Sequence, residues 1–175
     1  MTRRFPIVLG LALLLAVPLS GQKRHDPLNS EEIDQLRDAM VEPDQRLKLY
    51  VKFVRDRLSK LEQMRSDPKT TNRPQQTHDI LEDFLAVYDE LNDNVDMYVG
   101  RKDDIRKPLK NVIEADTEFQ SRLRAIKDAA NTDAAEARQY EFLLNNAIDT
   151  VDSSADDHRK TVVEVEEYVK RKKKK

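Results

Sequence analysis

The sequence lacks the residues that crosslink a chain and has few that break helices. Its 175 residues contain no Cys, no Trp, only three Gly and only 6% aromatic residues. Without Cys the chain forms no disulfide, and it has no site for the lipid anchor of an exported lipoprotein. With 37% charged and 38% hydrophobic residues, the composition is typical of a charged, all-helical domain that is held together by packing alone.

The motifs of the common enzyme and metal-site classes are also missing. The chain has no HExxH or Glu-x-x-His pattern, no CxxCH, no Gly-rich phosphate loop and no GxSxG elbow. Its three histidines, His25, His78 and His158, lie far apart in the sequence. Asp156 and Asp157 precede His158 directly, and successive side chains on a helix point about 100° apart, so these three do not form a compact metal site. We therefore expect a protein that is not an enzyme and holds no metal or cofactor.

Residues 1–21 have the pattern of a secretory signal peptide. Arg3 and Arg4 form a short basic start, residues 7–17 are an apolar run, and cleavage is expected near Gly21. The alternative is a membrane anchor that stays attached, but about 11 apolar residues are short against the roughly 20 that span a bilayer. The sequence thus predicts an exported protein, periplasmic or extracellular.

The rest of the chain divides into three parts. Residues 22–29 are polar and are expected to form a flexible N-terminus, residues 30–169 form a helical bundle domain, and residues 170–175 are a polybasic C-terminal tail. The bundle domain has the length of one domain with a real core.

Apolar residues at alternating steps of three and four predict five helices. A short accessory helix is capped by Asn29 or Ser30, Pro43 and Pro108 each begin a longer helix, and Gly100 ends another in the left-handed conformation. The helical seams are Ile33, Leu36 and Met40; Leu47, Val51, Val54, Leu58 and Leu61; Leu81, Phe84, Tyr88, Leu91, Val95 and Tyr98; Leu109, Val112, Asp116, Phe119, Leu123 and Ile126; and Ala137, Tyr140, Leu144, Ala147, Val151, Ser154, His158, Val162, Val165 and Val169.

The last helix is expected to be the longest, from Asp133 to Lys175. Asp133 and Glu136 resemble a capping box at its start. Ser153 and Ser154 offer an alternative cap for a new helix, but the apolar phase continues beyond them without a slip, which favours one continuous helix.

These elements predict an all-α fold. Four long helices with seams averaging about 3.5 residues per turn indicate an up-down-up-down four-helix bundle with a short N-terminal accessory helix and a long projecting C-terminal helix. Folding the last two helices about Asn131 and Thr132 covers the final helix only to about His158. We expect the apolar stripe of the accessory helix to cover Val162, Val165 and Val169.

Asp116 and His158 are polar residues within apolar seams. Folding about Gly100 places Tyr88 beside Asp116, so the Tyr88 hydroxyl is predicted to satisfy the carboxylate. The register of the last two helices sets Asp116 and His158 about 11 residues apart, roughly 16 Å, which disfavours contact between them. For His158 we expect an ordinary hydrogen-bonded role; the alternative, by analogy with haem-binding four-helix bundles, is an axial ligand paired with Met40.

The C-terminal run is the strongest charge feature of the sequence. Lys170, Arg171, Lys172, Lys173, Lys174 and Lys175 are six bases without an acid, whereas residues 22–169 carry an excess of acid. Such a run either complements the dipole of its helix or binds anionic lipid or another polyanion.

From the sequence we therefore expect an exported, non-enzymatic helical-bundle protein with a structural, adaptor or chaperone-like role. Its surface is expected to bind protein partners or a second copy of itself. The alternative is a peripheral binder of anionic membrane or polyanion through residues 170–175.

Overall fold

The computed structural model describes residues 26–130 and 134–174. These residues form six α-helices and no strand, which confirms the all-α prediction. The predicted signal peptide, the polar residues before Asp26, and Lys175 lie outside the described residues. The helices are α1 (Ser30–Asp38), α2 (Pro43–Ser66), α3 (Arg73–Gly100), α4 (Arg106–Ala130), α5 (Ala134–Ala137) and α6 (Glu141–Lys173).

Helix α1 begins with a capping box and packs on α2. The Asn29 side chain accepts from the Glu32 amide at 3.0 Å, and Glu32 accepts from the Asn29 amide at 2.9 Å. Arg57 of α2 forms a salt bridge with Glu32, and Arg46 donates to the Leu36 carbonyl at 2.7 Å. Helix α1 thus lies along α2, and the prediction that its apolar stripe covers the end of the last helix is wrong.

Side-chain pairs give the relative directions of α2, α3 and α4. Helices α2 and α3 are antiparallel, since Arg46 contacts Asn94 at 2.8 Å near one end and Arg65 contacts Thr77 at 3.3 Å near the other. Helices α2 and α4 run in the same direction, as the salt bridges Arg55–Glu118 and Arg122–Glu62 follow one another along both helices.

Helices α4 and α6 are antiparallel. Their register follows from the salt bridges Arg124–Asp152 at 2.7 Å and Lys110–Glu166 at 3.4 Å. The most extensive packing joins α2 to α3, α4 to α6, α2 to α4 and α3 to α6. Helices α3 and α4, although joined by a short link, meet mainly through large side chains that cross the core.

The end of α3 differs in detail from the prediction. Gly100 stays within the helix, and Lys102 takes the left-handed conformation instead, with φ 62°. The Lys102 amide donates to the Val99 carbonyl at 2.9 Å and the Asp103 amide donates to the Tyr98 carbonyl at 3.0 Å, which is the bonding pattern of a Schellman cap. The helix therefore ends two residues later than its glycine indicated.

The last long helix begins later than predicted. Helix α5 and the turn that follows it separate α4 from α6, which starts at Glu141, and Asp133 of the predicted capping box lies outside the described residues. The buried Tyr140 ends this connection, where its hydroxyl accepts from Arg65 at 2.8 Å. From Glu141 the helix is continuous through Ser153 to Lys173, as predicted.

The longer connection changes which part of α6 is covered. Because α5 and its turn lengthen the connection between α4 and α6, α6 is shifted along α4 by about three helical turns relative to the predicted register. Val165 and Val169 are consequently buried in the common core, only 6% and 7% exposed. The predicted projecting C-terminal helix is therefore wrong, because α6 packs against the bundle as far as Val169.

Candidate functional site

Three polar side chains meet at the centre of the bundle. The Tyr88 hydroxyl of α3 donates to Oδ1 of Asp116 in α4 at 2.8 Å, which confirms the predicted pair. Nδ1 of His158 in α6 lies 2.8 Å from the other carboxylate oxygen, Oδ2. The predicted separation of Asp116 and His158 is wrong, because the shift of α6 brings His158 to the level of Asp116.

The environment of this layer explains why the Tyr88 hydroxyl stays protonated. Burial, together with the adjacent carboxylate of Asp116, raises the pKa of Tyr88 far above its ordinary value, so the hydroxyl keeps its proton and donates it. The Tyr88 ring stacks on Phe84 and meets Phe119 edge-on, with centroids 5.9 and 6.3 Å away. Asp116 is fully buried and His158 is 4% exposed. Such an enclosed, mutually hydrogen-bonded layer fixes the register of three helices.

The structure does not bring together the residues of the haem alternative. Met40 is 61% exposed in the turn between α1 and α2, whereas the His158 side chain is buried and paired with Asp116. The axial-ligand pair predicted by analogy is therefore wrong for these two residues.

Among the described residues, one group of side chains has the composition of a metal site. The donor atoms of His78, Asp79 and Glu82 on α3 lie within 4.8 Å of one another. Both carboxylates are exposed, and Asp79 already accepts from Gln75 at 2.7 Å. These residues lie close together on one helix, and no other element in the described part of the chain adds a His, Cys, Asp or Glu to the group.

The polybasic run continues α6 and does not form a separate tail. Residues 170–173 are helical, residues 170–174 are exposed, and Lys175 lies outside the described residues. Arg171 forms a salt bridge with Glu167 one turn earlier, at 2.8 Å. The helical conformation places these bases next to the turn between α3 and α4.

Bases from the α3–α4 turn and the start of α4 join this run. The Lys102 ammonium lies over the Tyr168 ring, 5.9 Å from its centroid. Lys173 contributes to the lowered pKa of Asp104, which is due first to the hydrogen bond from Arg106. We call Lys102, Lys107 and residues 170–174 together the basic end of the bundle.

Sequence reasoning found residues 170–175 and missed Lys102 and Lys107. The latter two lie in a different part of the chain, each directly after an arginine, and neither belongs to a run of comparable length. Lys107 also contributes to the lowered pKa of Asp44 at the start of α2, which is due first to the hydrogen bond from Lys48. This effect places the start of α2 at the same end of the bundle.

Neighbouring acids neutralise some bases at this end and not others. Arg101 pairs with Asp103 at 3.2 Å, and Lys110 pairs with Glu166 at 3.4 Å. Within the described ranges, no carboxylate oxygen lies within 4.0 Å of the ammonium groups of Lys102, Lys107, Lys170, Lys172, Lys173 and Lys174. The basic end therefore carries a local excess of positive charge on an acidic protein.

None of the helices in the described part of the chain is both long and apolar enough to cross a membrane. No protein-family model, curated protein or solved structure matches the chain.

Proposed function

We propose that this protein is an exported, non-enzymatic binding protein whose basic end docks onto an anionic surface. The observation that carries the proposal is the placement of Lys102, Lys107 and residues 170–174 at one end of the bundle. Bases that share one surface attract a polyanion jointly, and each contributes on the order of 1 kcal/mol near an anionic membrane.

The fold supports this proposal over a tail that merely keeps a helix end solvated. A solvated end needs only the bases of the last turn to complement the helix dipole. Here the last turn adjoins Lys102 and Lys107 from separate elements, so the positive charge extends across the end of the bundle. Residues 170–175 contain no aromatic residue on which nucleotide bases could stack, so we do not expect this end to bind single-stranded nucleic acid by stacking.

This proposal takes precedence over the structural, adaptor or chaperone-like role expected first from the sequence. That role names no residues of this chain, whereas the basic end is defined by side chains that the fold brings together. A protein partner with an acidic face would use the same basic end, and it would be detected by the same variants.

The test compares two triple variants of the full chain. In one, Lys172, Lys173 and Lys174 are replaced by Gln, and in the control, Lys60, Lys69 and Lys127 are replaced by Gln. All six residues are exposed, so both sets remove the same charge without disturbing the core. Binding is measured by salt elution from heparin and by cosedimentation with phosphatidylglycerol vesicles.

We expect the Lys172, Lys173 and Lys174 variant to elute at lower salt and to bind vesicles at least about tenfold more weakly than the control. Circular dichroism should show that both variants keep the helicity of the parent protein. Equal retention of the two variants would contradict the proposed function.

A further inference from the structure

We propose that the anionic surface is a lipid bilayer, and that Met40 and Val41 insert into it while the basic end binds the headgroups. This inference rests on the proposed function and names its partner. Met40 is 61% exposed and Val41 is 84% exposed, although Ala39 directly before them is buried. We call Met40 and Val41, in the turn between α1 and α2, the apolar turn.

The apolar turn lies at the same end of the bundle as the basic end. Helix α1 runs backwards along α2, since Glu32 near its start contacts Arg57 and the Leu36 carbonyl near its end accepts from Arg46. The chain then reverses so that α2 can begin at Pro43. This reversal adjoins the first turn of α2, where Arg46 donates to Asn94 near the end of α3 at 2.8 Å, close to the turn that carries Lys102.

Met97 is a further exposed apolar residue at this end of the bundle. It is 43% exposed in the last turns of the helix, three residues after Asn94, which accepts a hydrogen bond from Arg46 at 2.8 Å. Residues three and four apart lie on one helical face, so Met97 shares a face with Asn94 and with Arg101. An exposed methionine is thus followed on the same face by a base.

The chemistry of this end favours a bilayer over a polyanion in solution. Transfer of an exposed Val or Met side chain from water into an apolar phase is favourable. A soluble glycan or a nucleic acid backbone provides no such phase. Binding at a membrane interface combines buried apolar area with attraction between basic residues and anionic headgroups. Both contributions are available here within one end of the bundle.

Acidic residues next to the apolar turn set a condition on this mode of binding. Asp38 and Glu42 flank Met40 and Val41 and are exposed, so they repel an anionic surface. Insertion therefore requires the attraction supplied by the basic end. We expect the apolar turn to enter anionic bilayers and not neutral ones.

The absence of tryptophan allows a direct test in the full chain. Val41→Trp introduces a single indole into the apolar turn, and Phe142→Trp introduces one at an 85% exposed position at the other end of α6. Each variant is mixed with vesicles of phosphatidylglycerol, with neutral phosphatidylcholine vesicles, and with heparin. Neutral vesicles also measure any binding through the apolar run 7–17.

We expect the emission of Val41→Trp to shift to shorter wavelength on anionic vesicles and to be quenched by lipids with brominated acyl chains. Heparin and neutral vesicles should leave its emission unchanged, and Phe142→Trp should show no shift with any of the three. Adding the substitutions of Lys172, Lys173 and Lys174 by Gln to Val41→Trp should remove the shift.

A second pair of variants measures affinity. Met40→Ser combined with Val41→Ser should weaken binding to anionic vesicles about tenfold and leave elution from heparin unchanged, whereas Phe142→Ser should alter neither.

Salt-sensitive vesicle binding without an emission shift of Val41→Trp would overturn the bilayer inference and leave the proposed function standing. An emission shift that depends on protein concentration without vesicles would also overturn it, because a second copy would then cover the apolar turn. If the parent protein shows no salt-sensitive binding to either anionic vesicles or heparin, the proposed function itself is contradicted.

Discussion

Nδ1 of His158 lies 2.8 Å from Oδ2 of Asp116 in the interior of the bundle. Because Tyr88 donates to the other oxygen of the same carboxylate, one Asp joins helices α3, α4 and α6 at a single level. A slip of α6 by one turn along α4 would break the contact between Asp116 and His158 and leave buried polar groups unpaired. The layer therefore selects one register among several that apolar packing would accept.

Tyr88→Phe tests the hydrogen bond of this layer. Removing the hydroxyl leaves Oδ1 of the buried Asp116 without its donor, so we expect a loss of about 1–2 kcal/mol in the free energy of unfolding. Tyr98→Phe is the matched control, since Tyr98 is also buried and its hydroxyl has no hydrogen-bond partner among the described residues. Urea denaturation should show little loss for Tyr98→Phe, and equal losses for the two variants would contradict the assigned bond.

Asp116→Leu and His158→Leu test whether the layer acts as a unit. Each single change leaves a buried polar partner unsatisfied and should cost about 3 kcal/mol or more. The double variant removes both polar groups, and we expect it to lose clearly less stability than the sum of the single losses. The measurement is a double-mutant cycle from urea denaturation; strictly additive losses would show that the two side chains do not interact.

The lowered pKa of Glu32 predicts that the free energy of unfolding decreases in acid. Burial acts to raise the pKa of Glu32, but hydrogen bonds from Arg57 and Asn29 outweigh it, and its pKa lies below the ordinary value of 4.5. A lowered pKa stabilises the folded protein above about pH 4.5, and this contribution is lost as the pH falls through the folded-state pKa. The Arg57 guanidinium stays charged throughout this range.

Glu32→Gln keeps an acceptor for the capping box and removes the charge. We expect it to destabilise the protein by about 1–3 kcal/mol at pH 7 and by progressively less as the pH falls below 4.5. Thermal unfolding across this pH range measures the effect, with exposed Glu31→Gln as the control. A difference from the parent that stays constant from pH 7 to acid would contradict the assigned ion pair.

Val165→Asp tests the packing of the C-terminal part of α6. Val165 is 6% exposed, so a charge there is buried without a partner and should cost at least about 2 kcal/mol. Val163→Asp lies two residues earlier on the opposite, exposed side, 54% exposed, and should change stability little. Equal melting temperatures of the two variants would indicate that this part of α6 projects freely from the bundle.

Local patterns accounted for most of the helices and for one of the buried contacts. Asn29 caps α1 and Pro43 begins α2 as their sequence signals predict, and the turn after Gly100 is short enough for the register of Tyr88 and Asp116 to follow from it. A cap or a proline acts within one turn of helix, so its effect is readable from neighbouring residues. The left-handed residue was missed by two positions, since Lys102 adopts a conformation that glycine would favour.

The candidate site was predictable only in part. Residues 170–175 stand out as a run, whereas Lys102 and Lys107 lie well before it in the sequence and join the run only through the antiparallel packing of α4 and α6. Of the apolar turn, Met40 was assigned to the apolar stripe of the accessory helix from its helical spacing. Its exposure follows from the packing of α1 along α2, which buries Leu36 and leaves Met40 outside.

By itself the sequence determined that this protein is helical, where most of its helices begin and end, and that its positive charge concentrates at the C-terminus. Only the tertiary structure decided how far α6 slides along α4, and with it the pairing of Asp116 with His158, the burial of Val165 and the assembly of the basic end. The physical reason is the period of the helix. A shift of about 11 residues is close to three whole turns, so it returns the same apolar face to the core, and the sequence pattern alone does not distinguish the two registers. The length taken up by α5 and the hydrogen bonds of the buried layer distinguish them.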